Sequence, residues 1–256
     1  MRVERMRLRL EPESDPVWVR DVFGNSIALV DWSAPADSLI IVNDLVVERL
    51  APFPAREMNE PWRVPLAPQY DPLEGGITAV YQQLSFLESE PSVRAWLDAS
   101  LTIDADDAEG TMLSLCGLVH ASINYQRRTE KGVQAPARTL ELRTGSCRDM
   151  ATLMMEAARL LGVASRFASG YLHGTASLAG HASTHAWTEV YLPLLGWRGF
   201  DPTLGTAISL NHIVTGVSSH PRGVMPVSGR YTGGAADCQS LTVTVRTEEL
   251  GMHSIW

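Results

Sequence analysis

From Met1 to about Leu50, apolar and polar residues alternate in short runs, MRLRL, VWVRDV, SIALVDW and LIIVNDLVVERL, broken by EPESDP, FGN and SAPADS. A period of two bounded by such breaks predicts a small antiparallel β unit. The next twenty residues, APFPAREMNEPWRVPLAPQY, hold five prolines. Each proline lacks an N–H and fixes φ, which suits neither a helix interior nor a central strand, so 51–70 reads as an ordered linker.

Beyond Asp71 the spacing changes to three and four. ITAVYQQLSFL, PSVRAWLDASL and EGTMLSLCGLVHASINY are predicted as helices, followed by a polar loop from about Gln126 to Ala137. Met150, Leu153, Met154, Ala157, Leu160 and Leu161 then repeat with the one-sided spacing of a helix on a core. Thr144, Gly145 and Ser146 start it, and Gly162 is a fitting stop. Next come a strand, SRFASGYL, a Gly/Ala/Ser/His loop, and two further strands, THAWTEVYL and WRGFD, joined by a tight turn. The C-terminal part is rich in Gly, Ser and Pro until SLTVTVRTEE, an alternating run predicted to pair with the N-terminal unit. The fold class is therefore α+β. The expected organisation is a β-rich domain over 1–50, a linker over 51–70, a core over 71–215, and a loop and strand over 216–256.

Composition acts mainly by exclusion. The chain has 256 residues and a net charge of -8, with no basic run or stripe, so neither nucleic acid nor an anionic membrane is an expected partner. No apolar stretch approaches a membrane span, and the N-terminus MRVERMRLRL lacks the apolar region of an export signal. Cys116, Cys147 and Cys238 are odd in number, far apart and outside any CxxC pattern. A disulfide framework or structural zinc is therefore not expected, and a reducing cytoplasm is the expected location.

Cys147 is the informative thiol. It stands at the predicted helix start, where unpaired N–H groups and the positive end of the macrodipole favour a thiolate. The same groups suit an oxyanion formed on a carbonyl that the sulfur attacks. Cys116, among Leu113, Leu115 and Leu118, reads as a core residue. The hairpin THAWTEVYLPLLGWRGFDPT offers a base. With a three-residue loop at Leu192 to Leu194, Tyr191 faces Leu195, Trp187 faces Gly199 and His185 faces Asp201. Opposed Cβ atoms lie roughly 4.5 to 5.5 Å apart. Asp201 would then orient the ring of His185 toward Cys147. Singly, a buried histidine and an Asp-Pro turn are the plainer readings; with Cys147 the three make a complete catalytic set. His173, His181 and His185 crowd within thirteen residues, but on a loop and a strand and not on one helix face. Metal ligation is therefore not expected, and His173 and His181 are placed near the mouth of the site.

These motifs, GSCRDMATLMMEAARLLGVASRFASGYL, THAWTEVYLPLLGW and GFDPT, resemble the bacterial branch of the transglutaminase-like superfamily in content and order. The resemblance implies a papain-like core: a helix carrying the cysteine, packed on an antiparallel sheet carrying the histidine and aspartate. It implies Cys147 as nucleophile, His185 as base and Asp201 as orienting acid, with Asp149, Gly170 and Tyr171 in support. It further implies acyl transfer or hydrolysis on peptide or protein amides through a thioester, with no cofactor. The rival is a binding module that kept the fold and lost the chemistry. Bacterial members begin some strands earlier, which implies either a shortened N-terminal unit or a fragment of a longer chain, with an open sheet edge inviting a second protomer. They also carry a Gly-Arg-Asp-Tyr type sequence where this chain reads TGVSSHPRGVMP, a difference expected to bear on specificity.

Overall fold

The alternating runs of the first fifty residues become four strands, β1 (Arg2–Glu11), β2 (Val17–Arg20), β3 (Ser26–Leu29) and β4 (Ile40–Glu48). The computed structural model describes residues 1–49, 63–174, 182–234 and 239–250. The chain divides into two units, Met1–Glu60 and Pro61–Trp256. In the first, β1 pairs antiparallel with β4, and β2 with β3, giving two separate two-stranded sheets. The β2–β3 turn is tied by the Asp21 carboxylate, which accepts from the N–H groups of Phe23 and Asn25 at 2.9 and 2.8 Å. Among the described residues of this unit, Leu10 is the only buried apolar side chain.

The second unit begins before the predicted core. Val64 is buried in the main apolar cluster, and its carbonyl accepts from Ala108 N–H at 2.7 Å. The linker expected over 51–70 is thus corrected: 63–70 is built into the second unit because its apolar side chains find a core, while 51–62 lies outside the described residues.

Five helices follow in this unit: α1 (Pro72–Gln82), α2 (Glu90–Ser100), α3 (Ala108–Ser122), α4 (Pro136–Leu142) and α5 (Cys147–Leu160). The first is shorter at its C-terminal end than its sequence pattern, because residues 83–86 turn away to bond α5. The fourth replaces the end of the expected loop, with Pro136 in its first turn, where a missing N–H costs nothing. Between α3 and α5, short β5 (Asn124–Tyr125) and β6 (Thr144–Gly145) pair in parallel. Strands β7 (Ser165–Leu172), β8 (Ser183–Leu192), β9 (Gly196–Asp201), β10 (Thr206–Ala207) and β11 (His212–Ser218) form one antiparallel sheet in the order β10-β9-β8-β7-β11.

Helix α5 is the centre of this unit. Met150, Leu153, Met154, Ala157 and Ala158 pack with Val190, Leu192 and Phe200 of the sheet and with Met112, Leu115 and Val119 of α3. Its end is a Schellman motif: Gly162, at φ 81°, donates to Arg159 O at 2.9 Å and Val163 donates to Ala158 O at 3.0 Å. The helix is not one-sided as its apolar spacing predicts, because Glu156 and Arg159 are also buried. Glu156 accepts from Ser85 and Phe86 N–H at 2.9 and 3.0 Å, while Arg159 donates to Glu156, Gln83 O, Ser165 O and Ser219 O. A polar stripe that reads as a solvated face instead binds the loops around it.

The C-terminal expectation is corrected in two ways. Strand β11 falls in the stretch read as irregular and crosses the boundary set at 215. The described residues 239–250 form no strand, and Leu241 and Val243 are 85% and 66% exposed. Alternation gives that run one apolar side, but without ladder partners it has nothing to hold it extended.

Candidate active site

Cys147 is the first residue of α5. Ser146 caps the helix from extended backbone, and Asp149 turns back so that its Oδ2 accepts from both Ser146 N–H and Oγ at 2.8 Å. Oδ1 accepts from Gln134 N–H at 2.7 Å and from Arg128 Nη1 at 2.8 Å. Burial would raise the pKa of Asp149, but these donors outweigh it and hold the carboxyl below its usual range. Asp149 therefore ties the 126–134 loop to the turn that carries the thiol. Cys147 itself is half-buried, free, and packed beside Ala151 and Ala186.

His185 lies on β8 opposite Gly170 of β7. Its Nε2 stands 2.7 Å from Asp201 Oδ2. Both residues are buried, the aspartate completely. Desolvation would lower the pKa of His185; hydrogen bonds to Asp201 and Cys147, and then their charge, overturn it and push the value up to about 10. With Nε2 committed to Asp201, Nδ1 is the nitrogen left for the sulfur. The three candidate residues are therefore brought together.

The route differs from the expected one. Tyr191 pairs with Trp197 and Leu192 with Gly196, two residues out of the expected register, because the loop is 193–195. Leu194 at φ 69° and Gly196 at φ 71° make that turn. The direct opposition of His185 and Asp201 is thereby corrected to a diagonal one. A slip of two leaves both side chains on the same face of the sheet, and a diagonal neighbour is within reach of an imidazole. Trp187 is fully buried beneath the site, and Trp197 lies under the Arg166 guanidinium at 3.8 Å.

Sequence reading missed His212. Its Nε2 is 3.0 Å from the same Asp201 Oδ2, and its ring meets Trp187 edge-on at 5.4 Å. Asp201 Oδ1 in turn accepts from Thr203 N–H at 2.9 Å. Desolvation raises the Asp201 pKa, but the bonds from His185 and His212 prevail and hold it far below the usual range. His212 arrives through the 208–211 connection, which crosses close to the sheet. A Cβ on Gly199 would lie 2.5 Å from Ile208, and one on Gly170 would lie 2.0 Å from Ile213 O and 2.9 Å from the Trp187 ring. Glycines inside strands are the available signal, since they mark close approach of other backbone.

His185, Asp201 and His212 are also the group among the described residues whose ligand atoms are close enough to hold a metal ion. In this arrangement those atoms bond one another. His173 is held at the end of β7 by Asn211 O at 3.0 Å, whereas His181 and Cys238 lie outside the described residues. Cys116 is buried and its thiol is pushed up to about 12, chiefly by desolvation.

Residues 97–202, which include Cys147, His185 and Asp201, match the transglutaminase-like superfamily core. This part of the chain is a transglutaminase-like superfamily core. The fold agrees, with a TM-score of 0.62 to a candidate cysteine protease of Cytophaga hutchinsonii, covering 86% of this chain and 72% of that one. At 14% identity this likeness concerns the papain-like transglutaminase fold alone. The uncharacterized protein ML0607 of Mycobacterium leprae is 34% identical over 98 residues, 36% of this chain and 34% of that protein. The uncharacterized protein YebA of Bacillus subtilis is 32% identical over 75 residues, 25% of this chain and 10% of YebA. The chain thus spans about a third and about a tenth of these two relatives. Within the transglutaminase-like core and its flanks, no helix of the described residues is long and apolar enough to cross a membrane.

Proposed function

We propose that this transglutaminase-like protein is a cysteine-dependent enzyme acting on peptide or protein amides, with Cys147 as nucleophile, His185 as acid and base, and Asp201 as the group that orients the ring. The observation that carries the reading is His185 held between Asp201, at 2.7 Å, and Cys147. A ring so placed takes the thiol proton and remains charged beside the thiolate.

The sulfur attacks the carbonyl carbon, forming a C–S bond as the carbonyl electron pair moves to oxygen. N–H groups of the first turn of α5 face the charge that develops there. Collapse breaks the C–N bond, His185 gives its proton to the leaving amine, and a thioester remains on Cys147. Water or a second amine then attacks with His185 as base, and the thiol is restored. Water gives hydrolysis, and an amine gives transfer. Cytoplasmic location belongs to this reading on cysteine usage alone.

The test is alkylation followed by turnover. Cys147 should react with iodoacetamide near neutral pH far faster than Cys116, whose thiol burial keeps protonated. A glutamine peptide with a labelled amine separates the outcomes: ammonia without label means hydrolysis, incorporation means transfer, and new peptide N-termini mean proteolysis. A Cys147 no more reactive than an ordinary exposed thiol, with none of these products, would leave the binding-module reading.

A further inference from the structure

The aspartate of the triad serves two imidazoles. Asp201 Oδ2 receives His185 Nε2 at 2.7 Å and His212 Nε2 at 3.0 Å. The protonation of His212 follows from its other side, where Nδ1 is 3.1 Å from the backbone N–H of Ser209. A backbone N–H can only donate, so Nδ1 carries the lone pair and the proton sits on Nε2, aimed at Asp201. The ring is 1% exposed and both nitrogens are engaged, so it has no route to a substrate. Its position is fixed on three sides: Ser209 on one edge, Asp201 on the other, and Trp187 edge-on at 82°.

Resting on the triad reading above, we propose that His212 is a positioning residue for this reaction: its Nε2–H pins Oδ2 of Asp201 where that oxygen can hold His185. Two donors converging on one oxygen fix the rotation of the carboxylate, while Thr203 N–H occupies Oδ1 at 2.9 Å. Removing His212 leaves Oδ2 to a single partner in a buried site. The carboxylate then turns, and the ring of His185 loses the anchor that directs Nδ1 at the sulfur. The 208–211 connection that delivers His212 runs close to β9 because Gly199 leaves room for the Ile208 side chain, and Gly170 leaves room for Ile213 O of β11, next to His212.

The experiment uses the full chain and two variants. His212→Gln keeps an N–H near the position of Nε2, and His212→Leu removes it. Three readouts are taken: ring nitrogen NMR, the iodoacetamide rate at Cys147 relative to Cys116 in the same molecule, and a melting curve. The inference expects Nε2–H with unprotonated Nδ1 on His212 in the unaltered chain. It also expects Cys147 to slow by about tenfold or more in His212→Leu, with most of that loss recovered in His212→Gln. A purely structural residue would lower the melting temperature without changing the rate in folded protein. An unchanged Cys147 rate in folded His212→Leu, or a protonated Nδ1, overturns it. So does a His212→Gln variant as slow as His212→Leu. A ring spectrum altered by a chelator would also overturn it, making the three residues a metal centre. If His212→Leu fails to fold, the tautomer and the His212→Gln rate decide. If Cys147 of the unaltered chain is not activated at all, the triad reading falls, and the positioning role is judged on the spectrum alone. A His185 Nε2 signal shifted in His212→Gln or His212→Leu supports it, and an unshifted one overturns it.

Discussion

The His185 ring keeps its charge well past neutrality, and the sign of its contribution to stability follows. Its folded pKa of about 10 lies above its unfolded value of 6.5. The protonated ring therefore stabilises the fold in full below pH 6.5, and that contribution is lost as pH rises through the folded value. Denaturant unfolding of the intact chain should show stability falling between those limits. In Asp201→Asn the fall should be shallower, because an amide cannot hold the imidazolium as a carboxylate does; an identical slope would show that Asp201 does not set the charge. The same variant should fold and lose about 10²- to 10⁴-fold in kcat, and Cys147→Ala should lose turnover altogether. That Cys147, His185 and Asp201 come together was legible in the sequence, because each carries a chemistry that a helix start or a strand pair can place. His212 was not, since its partner lies across an irregular connection that no periodicity describes. The three-residue loop was placed one position too early for a similar reason: Leu194 takes a left-handed φ that a leucine does not advertise.

Elements deliver these side chains through a few tight contacts, and those contacts can be broken one at a time. Gly170 sits opposite His185, and a methyl group there would meet Ile213 O and the Trp187 ring. Gly170→Ala should therefore cost about 1–3 kcal/mol or more, read as a lowered denaturation midpoint, and should slow alkylation of Cys147. If the variant is as stable and as reactive as the parent, the packing of β11 and Trp187 against Gly170 is looser than these distances require. At the start of α5, Asp149→Ala would leave Arg128 without its buried partner and free the 126–134 loop. A loss of about 3 kcal/mol is expected, within the range for breaking a buried pair. Since the Asp149 pKa is depressed, its contribution is present above the usual aspartate value and is lost as pH falls through the folded one. The difference between parent and variant should consequently shrink in acid. The long helices and β7 to β9 could be read from the sequence because each is long enough, and rich enough in apolar residues, to show the spacing of its own element. Helix α4, β10 and β11 are too short or too polar to show a period. The buried pair Glu156–Arg159 looks solvated in the sequence because its partners are carbonyls and N–H groups supplied by loops from elsewhere in the chain.

The two units of the chain differ in what each can sustain alone. Residues 61–256 bury a continuous core in which α3, α5 and the five-stranded sheet share apolar side chains, and they contain Cys147, His185, Asp201 and His212. Residues 1–60 contain two separate two-stranded sheets, with Leu10 as the one buried apolar side chain described there, while Val17, Val22 and Leu29 are 63%, 92% and 52% exposed. A pair of strands without a shared apolar layer is marginal in water, whatever its alternation. A fragment of residues 61–256 should accordingly melt cooperatively, within about 3 °C of the main transition of the intact chain, since less than about 1 kcal/mol of its stability would be at stake. A fragment of residues 1–60 should show no cooperative transition by calorimetry. The first fragment should also keep the fast alkylation of Cys147, because every residue assigned to that site lies within it. A 61–256 fragment that fails to fold would show that the division into two units is not a thermodynamic one, and that the first sixty residues supply stability their own burial does not reveal.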